Sequence, residues 1–259
     1  MFDILKTRFK QKHRTMSWPD GPAPELSARY AGRPVIAGKC RQGCRECMNV
    51  CPTDAVSIPE QKSGQTLARS PLIDMGKCLF CRKCEKICAE HVITFSREHR
   101  LAANKRSGLI TDKSSKIQPE ALLDKARSLF GHSLKLRQVC TGGCNGCEAD
   151  TNVLGTIGWD LGRFGIDFVA SPRHADGLLI TGPVTNNMKE ALLKTYDAVP
   201  SPKIVIATGA CAISGGPYIG HPEQNNGASS VLPVDLYIPG CPPHPLTIID
   251  GLLRFIGRI

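Results

Sequence analysis

No apolar stretch in this sequence approaches the roughly 20 residues a membrane-spanning helix needs, and the opening MFDILKTRFKQ lacks the unbroken apolar core of a signal peptide. The expectation is a chain that stays in the cytoplasm without crossing a bilayer. Nucleotide-binding and hydrolase signatures are missing as well: there is no GxxxxGK(S/T) phosphate loop, no GxGxxG after a strand-like run and no GxSxG elbow. Gly155, Gly158 and Gly162 are wrongly spaced for a dinucleotide loop and read as close packing of a helix. Aromatic residues make up only 5% of the chain, too few in the basic half for stacking bases, so no nucleic-acid partner is expected. Dispersed cysteine pairs, the mark of a secreted disulfide scaffold, are absent too, because the 13 cysteines fall in tight groups. A reducing compartment follows.

The 259 residues suffice for one or two domains, with an ordinary 41% hydrophobic content. Charge is unevenly placed. Residues 134–259 carry 9 Lys and Arg against 10 Asp and Glu, so the net +10 of the chain becomes +11 on residues 1–133. Within residues 1–16, helical periodicity puts Phe2, Leu5, Phe9 and Met16 on one face, with Lys6, Arg8, Lys10, Lys12 and Arg14 mostly elsewhere. This basic amphipathic helix suits a membrane surface or a membrane subunit, and equally a solvated helix packed locally. A segment rich in Pro, Gly and Ala follows to residue 33 and reads as an extended tether along a partner.

Next comes an internal repeat: Cys40, Cys44, Cys47 and Cys51, then Cys78, Cys81, Cys84 and Cys88. In the two-cluster bacterial ferredoxin pattern, three cysteines of each run hold one iron-sulfur cluster and the fourth crosses to the other. On that pattern Cys40, Cys44, Cys47 and Cys88 bind one 4Fe-4S cluster, while Cys78, Cys81, Cys84 and Cys51 bind a second. The matching tails CPTDAVSI and CAEHVITF suit a pseudo-twofold pair of halves. Two departures are tolerable: three residues separate Cys40 from Cys44, and Ala89 stands where a proline usually follows the last cysteine. Zinc is the competing occupant, but zinc ribbons use paired CxxC knuckles. A zinc-stabilised basic binding module is therefore the alternative from another functional class.

Residues 97–132 are polar and basic, with a helical stretch opened by Pro119 and closed by Gly131. Beyond them strand and helix alternate. Strands are expected at 134–139, 166–170, 177–181, 203–208 and 234–239, and helices at 148–163, 187–196 and 245–256. That alternation implies a parallel sheet covered by helices. Cys144 and Cys147 follow the first strand, and Cys211 and Cys241 follow the last two, so four thiolates converge beyond the carboxyl edge of the sheet. A register using Cys140 with Cys144 competes on spacing alone.

The stretches CTGGCNGCE, ATGACAISGG and IPGCPPHP, with SPRHADGLLITGPVT, resemble the small subunit of membrane-bound nickel-iron (NiFe) hydrogenases and formate hydrogenlyases, a family homologous to the cluster-bearing B subunit of respiratory complex I. The resemblance spans about residues 134–259 and implies a flavodoxin-like fold in which Cys144, Cys147, Cys211 and Cys241 hold a third 4Fe-4S cluster. Cys140 is then left over, as a buried thiol at a strand end. Asn145 and Gly146 part Cys144 from Cys147, where the complex I protein has adjacent cysteines, which favours the hydrogenase branch. GKCLFCRKCEKIC, with MFDILK and SREHRLAAN, similarly resembles the ferredoxin-like subunit of formate hydrogenlyase, so the chain looks like a fusion of the two.

The implied organisation is a helix and tether over residues 1–33, an α+β bacterial-type two-4Fe-4S ferredoxin domain over 34–103, a linker with a helix over 104–133, and an α/β flavodoxin-like parallel-sheet domain over 134–259. The implied role is an electron-transfer subunit with three 4Fe-4S clusters and no catalytic residue of its own. Its implied partners are a NiFe hydrogenase-like or complex I D-subunit-like large subunit, a membrane subunit at the basic helix, and an electron donor or acceptor subunit at the ferredoxin domain. Its implied location is peripheral, on the cytoplasmic side of the cell membrane. A complex I-like module without nickel is the runner-up. Glu148 is expected to tune the third site, face the partner or compensate helix charge, and Arg173 to put a cation near the site or at the large-subunit interface. His174, His221 and His244 read as structural.

Overall fold

The computed structural model of the protein describes residues 2–12, 14–59, 70–112, 130 and 133–259. Helix α1 spans Phe2–Gln11 and is shorter than the periodicity suggests, because the residues after it are claimed by the second half of the chain. The Met16 amide donates to the Gly158 carbonyl at 3.0 Å, Arg163 donates to the carbonyls of Met16 and Trp18, and Trp18 is buried in the second domain's core. The segment read as a tether along a partner lies instead against the chain itself. The hydroxyls of Tyr30 and Thr247 share a hydrogen bond at 3.1 Å, and the amides of Gly32 and Arg33 donate to the carbonyls of Ser96 and Glu98.

The ferredoxin half contains β1 (Pro34–Ile36), α2 (Glu46–Asn49), β2 (Val56–Ser57), β3 (Leu72–Asp74), α3 (Lys83–Ile87), β4 (Ile93–Phe95) and β5 (Ile110–Thr111). β1 pairs antiparallel with β4, and β2 with β3. The strand ahead of each cysteine run therefore pairs with the strand behind the other run, which is the exchange a pseudo-twofold requires. β5 adds to β3, so residues 104–111, read from sequence as linker, complete the ferredoxin sheet. The helix expected at 119–131 lies outside the described residues, apart from Phe130, which is buried in the second domain's core.

In the second half β6 (Leu134–Cys140), α4 (Gly146–Val153), β7 (Ile166–Phe168), β8 (Gly177–Thr181), α5 (Asn186–Ala198), β9 (Ile204–Thr208), α6 (Ala210–Ser214), β10 (Leu236–Ile238) and α7 (Pro245–Phe255) follow in turn. All five strands are parallel, ordered β10-β9-β8-β6-β7. Numbered within the domain this is 2-1-3-4-5, the flavodoxin-like order, with its switch point between β6 and β8. β8 and β9 are buried throughout, as central parallel strands covered on both faces must be. The helix expected over 148–163 stops at Val153: glycines at 155 and 158 weaken it, and Asp160, left-handed at φ 47°, opens a separate short turn at Leu161–Phe164.

The halves pack directly. Ala103 and Tyr237 exchange two backbone hydrogen bonds, at 3.0 and 2.9 Å. The buried Ser214 hydroxyl donates to the Gly76 carbonyl at 2.9 Å, and a Cβ on Gly76 would come within 2.8 Å of both Ile213 and Arg106. Met75, Leu101, Ala103 and Leu109 join the core on one face of the parallel sheet, so the ferredoxin half is seated on the carboxyl-edge helix α6.

Candidate metal centres

Each cysteine run makes one turn of helix and then a strand, so its thiols face inward from a short, tightly bent segment. Cys40, Cys44, Cys47 and Cys88 line one cavity together with Pro71, Val92 and Ile93. Burial pushes the Cys47 thiol up to about 11, helped by Cys40, Cys88 and Cys44 close by. Cys51, Cys78, Cys81 and Cys84 line a second cavity walled by Val56, Ile73 and Phe95. There burial drives both Cys78 and Cys84 to about 12; Cys51 and Cys81 add to both, and amide hydrogen bonds partly offset the rise. The fourth cysteine of each run thus sits with the other run's triplet.

Backbone amides are aimed at the sulfurs in the same symmetric fashion. Ala55 donates to Cys51 Sγ at 3.2 Å and Val92 to Cys88 Sγ at 3.3 Å, in each case from four residues on. Phe80 donates to Cys78 Sγ at 3.3 Å. Such donors stabilise negative sulfur.

The third group is assembled from loops beyond the carboxyl ends of β6, β9 and β10. Burial raises Cys147 strongly, with Cys211, Glu148, Cys241 and Cys144 adding to the shift. Cys211 rises to about 12 through burial, then Cys241, Cys144 and Glu148. Two glycines make the room: a Cβ at Gly209 would stand 2.4 Å from Cys147 Sγ, and one at Gly216 2.7 Å from Cys211 Sγ. Cys144 and Cys241 are exposed, so this group opens on the surface. It is Cys147, not Cys140, that meets the two distant cysteines. Cys140 ends β6 and is exposed rather than buried, and it lies close enough to Glu148 to help keep that carboxyl ionised.

Glu148 is 8% exposed and accepts a 2.6 Å hydrogen bond from the buried Thr181 hydroxyl. Burial alone would raise its pKa; nearby Cys140 and the bond from Thr181 outweigh that and hold it low, so it stays ionised beside the thiols. Thr181 went unnoticed in the sequence, where nothing marks the last residue of an apolar strand as a carboxylate anchor. Arg173 is not brought to the thiols. It sits in the turn Pro172–His174, and the backbone of Asp176, three residues on, bonds Lys135 near the amino end of β6, at the far edge of the sheet. His244 caps α7 by accepting from the Leu246 amide at 3.1 Å, and His221 accepts from Glu223, both structural uses.

These donors fit iron-sulfur clusters better than single ions. Each set is four thiols with amides directed at sulfur in the ferredoxin half, and among the described residues no three His, Cys, Asp or Glu lie close enough together to hold one metal ion. A cubane needs sulfurs spread around a larger body, which zinc does not. A further adjacency spans the domains: Cys81 of the second set lies near enough to Cys241 of the third to raise its pKa, after burial and Cys144. Leu79 and Phe80 share a cavity of about 230 Å³ with Gly240, Cys241, Pro242 and Pro243.

Residues 144–255 match the family described as NADH ubiquinone oxidoreductase, 20 Kd subunit, and residues 39–112 match the 4Fe-4S dicluster domain. The chain is 40% identical over 150 residues to the protein named "Probable membrane-bound hydrogenase subunit mbhJ" of Pyrococcus furiosus, an overlap of 58% of this chain and 90% of that one. It is 43% identical over 114 residues to the B subunit of NADH-quinone oxidoreductase from Bacteroides thetaiotaomicron, covering 44% of this chain and 58% of the relative. Formate hydrogenlyase subunit 7 of Escherichia coli is 40% identical over 151 residues, 58% of either chain.

Proposed function

For a chain that belongs to the family of the 20 kDa subunit of NADH ubiquinone oxidoreductase and carries a 4Fe-4S dicluster domain ahead of it, we propose the role of an electron-transfer subunit holding three 4Fe-4S clusters. It is an iron-sulfur subunit of the hydrogenase and complex I-like class of oxidoreductase complexes. Cys40, Cys44, Cys47 and Cys88 hold the first cluster, Cys51, Cys78, Cys81 and Cys84 the second, and Cys144, Cys147, Cys211 and Cys241 the third. When bound, these clusters supply one-electron exchange. The observation that supports this reading is the gathering of twelve cysteines into three groups of four, two of them each lining a cavity and the third grouped around Cys147, with Cys81 of the second group close enough to Cys241 of the third to act on it across the domain boundary.

The chain's own residues hold that arrangement still. Ser214 lies three residues beyond Cys211 on α6, and its hydroxyl ties that helix to Gly76, two residues before Cys78. Apolar walls at Ile73, Val92, Ile93 and Phe95 exclude water from the ferredoxin sites. The exposed Cys144 and Cys241 leave the third site open to a second chain, proposed to be a NiFe hydrogenase-like large subunit that converts the substrate. An electron donor or acceptor subunit docks at the ferredoxin domain. The two residues between Cys144 and Cys147 favour the hydrogenase reading, while the match to the 20 kDa subunit keeps a nickel-free, complex I-like partner as the second. Among the described residues no helix is long and apolar enough to cross a membrane. Attachment is proposed to be peripheral, on the cytoplasmic face.

The complex, purified anaerobically with its native partners, is expected to contain about 12 iron atoms per copy of this chain, with nickel in the partner and hydrogen uptake. Iron without nickel selects the second reading, and a colourless protein containing zinc sinks both. Glu148 gives a sharper check. Removing its charge with Glu148→Gln is expected to raise the potential of the third cluster by on the order of 50–100 mV, the Coulomb effect of one nearby charge at an effective dielectric of about 20. Potentiometric EPR titration measures it, and an unmoved potential would mean the carboxylate is electrically silent there.

A further inference from the structure

Helix α1 is the least explained element of the fold. None of its side chains is buried. Phe2 is 81% exposed, Phe9 79% and Leu5 51%, and helical spacing sets these three on one stripe. Lys6 and Lys10 border the stripe on one side and Arg8 on the other, while Asp3, Thr7 and Gln11 fall opposite together with Ile4, the one exposed apolar residue of the helix off the stripe. Lys12 and Arg14 continue the positive charge, so residues 2–12 and 14 hold five cations against one anion.

The helix is nevertheless not a loose end, because its root is bolted to the second domain. The Thr15 hydroxyl donates to the Ile157 carbonyl at 3.0 Å, the Met16 amide to Gly158 at 3.0 Å, and Trp18 is buried in that domain's core. The loop that receives them presents Ile157, 74% exposed, beside the start of the helix stem. A further apolar residue is thus shown to solvent near the point where the chain leaves the domain toward α1.

We propose that α1 and Ile157 form an anionic-lipid-binding surface, with Phe2, Leu5 and Phe9 in the acyl boundary and Lys6, Arg8, Lys10 and Lys12 among the headgroups. An anionic bilayer offers both chemistries at once, apolar depth for the narrow stripe and negative charge along both its borders. A protein groove would have to supply apolar walls and two acidic rims. The proposal rests on the peripheral placement proposed above and goes further in naming lipid itself as the partner of this surface. It also fixes the face presented to the bilayer, that of the second domain's 155–159 loop.

The full chain with its iron, isolated anaerobically, is to be floated with vesicles of phosphatidylglycerol and phosphatidylcholine, and with vesicles of phosphatidylcholine alone. Binding is expected to the anionic vesicles only. Lys6→Gln with Lys10→Gln is expected to weaken it roughly 25-fold, about fivefold per cation, and Phe2→Ser with Phe9→Ser about tenfold or more. Iron content and visible absorption should not change in either variant, because these exposed residues touch neither thiols nor core, so a failure here is distinct from a failure of the electron-transfer reading. Wild-type protein that ignores anionic vesicles, or that holds a membrane subunit through Phe2 and Phe9 while ignoring lipid, overturns the proposal in favour of a protein groove. So does binding unaffected by both double substitutions.

Discussion

Replacing Cys88 by Ala is expected to lower the iron content from about 12 to about 8 atoms per chain, and the site that empties is that of Cys40, Cys44 and Cys47, although Cys88 ends the other run. The reason is the exchange of strands. β1 pairs with β4 and β2 with β3, and the cavity lined by Cys40, Cys44 and Cys47 is closed by Cys88. A pair of double substitutions makes the assignment testable without identifying any spectrum. If Cys44 and Cys88 serve one cage, Cys44→Ala with Cys88→Ala loses no more iron than Cys88→Ala alone, whereas Cys81→Ala with Cys88→Ala falls to about 4. Local ligation by each run would reverse the two results. The ferredoxin half has a small core of its own, led by Ile36, Val56, Ile73, Val92 and Ile93, so loss of clusters should also cost it stability. Thermal unfolding followed alongside the iron assay separates loss of one cage from collapse of the half, since collapse would empty both ferredoxin cages in the single variant as well.

The ferredoxin pattern is legible in the sequence because its information is local: four cysteines within a dozen residues, twice, each followed by a strand. The parallel sheet was equally legible, since strands such as Gly177–Thr181 and Ile204–Thr208 are continuous apolar runs that only a twice-covered sheet accommodates. What sequence could not give was the pairing of distant surfaces. Nothing in MGKC announces that Gly76 must be bare to admit Ile213 and accept from Ser214, and nothing in SWPD says that Trp18 belongs to a core more than a hundred residues away. Amphipathic spacing carried the N-terminal helix too far, to Met16, because a residue that packs on another domain is as apolar as one on a helix face. Arg173 divides its two expected uses for a related reason: nearness to a motif in sequence suggested a cation beside the thiols, whereas the chain carries it into the turn Pro172–His174 ahead of the amino end of β8, which leaves the large-subunit interface as its proposed place.

The third site should be the most brittle position on the chain, at a residue that ligates nothing. Gly209 has φ 91° and ψ 155°, a region essentially closed to residues with a side chain. A Cβ there would lie 2.4 Å from Cys147 Sγ and 3.8 Å from Cys147 Cβ, so backbone strain and a collision with a ligand sulfur act together. Neither can relax cheaply. The Gly209 amide donates to the Ile238 carbonyl at 2.8 Å and the Ala210 amide to Gly240 at 2.8 Å, which ties this turn to the one that carries Cys241. Gly209→Ala is therefore expected to cost about 3 kcal/mol or more and to abolish the third cluster, leaving about 8 iron atoms, all in the ferredoxin half. Gly158→Ala is the matched control, because a Cβ there meets nothing within 4 Å and φ is ordinary, so full iron and wild-type stability are expected. The comparison is decisive because both variants add the same methyl group to the same domain. If Gly209→Ala keeps all its iron, then Cys147 does not stand where a cluster would need it, and the assignment of the third cage to Cys144, Cys147, Cys211 and Cys241 fails with it.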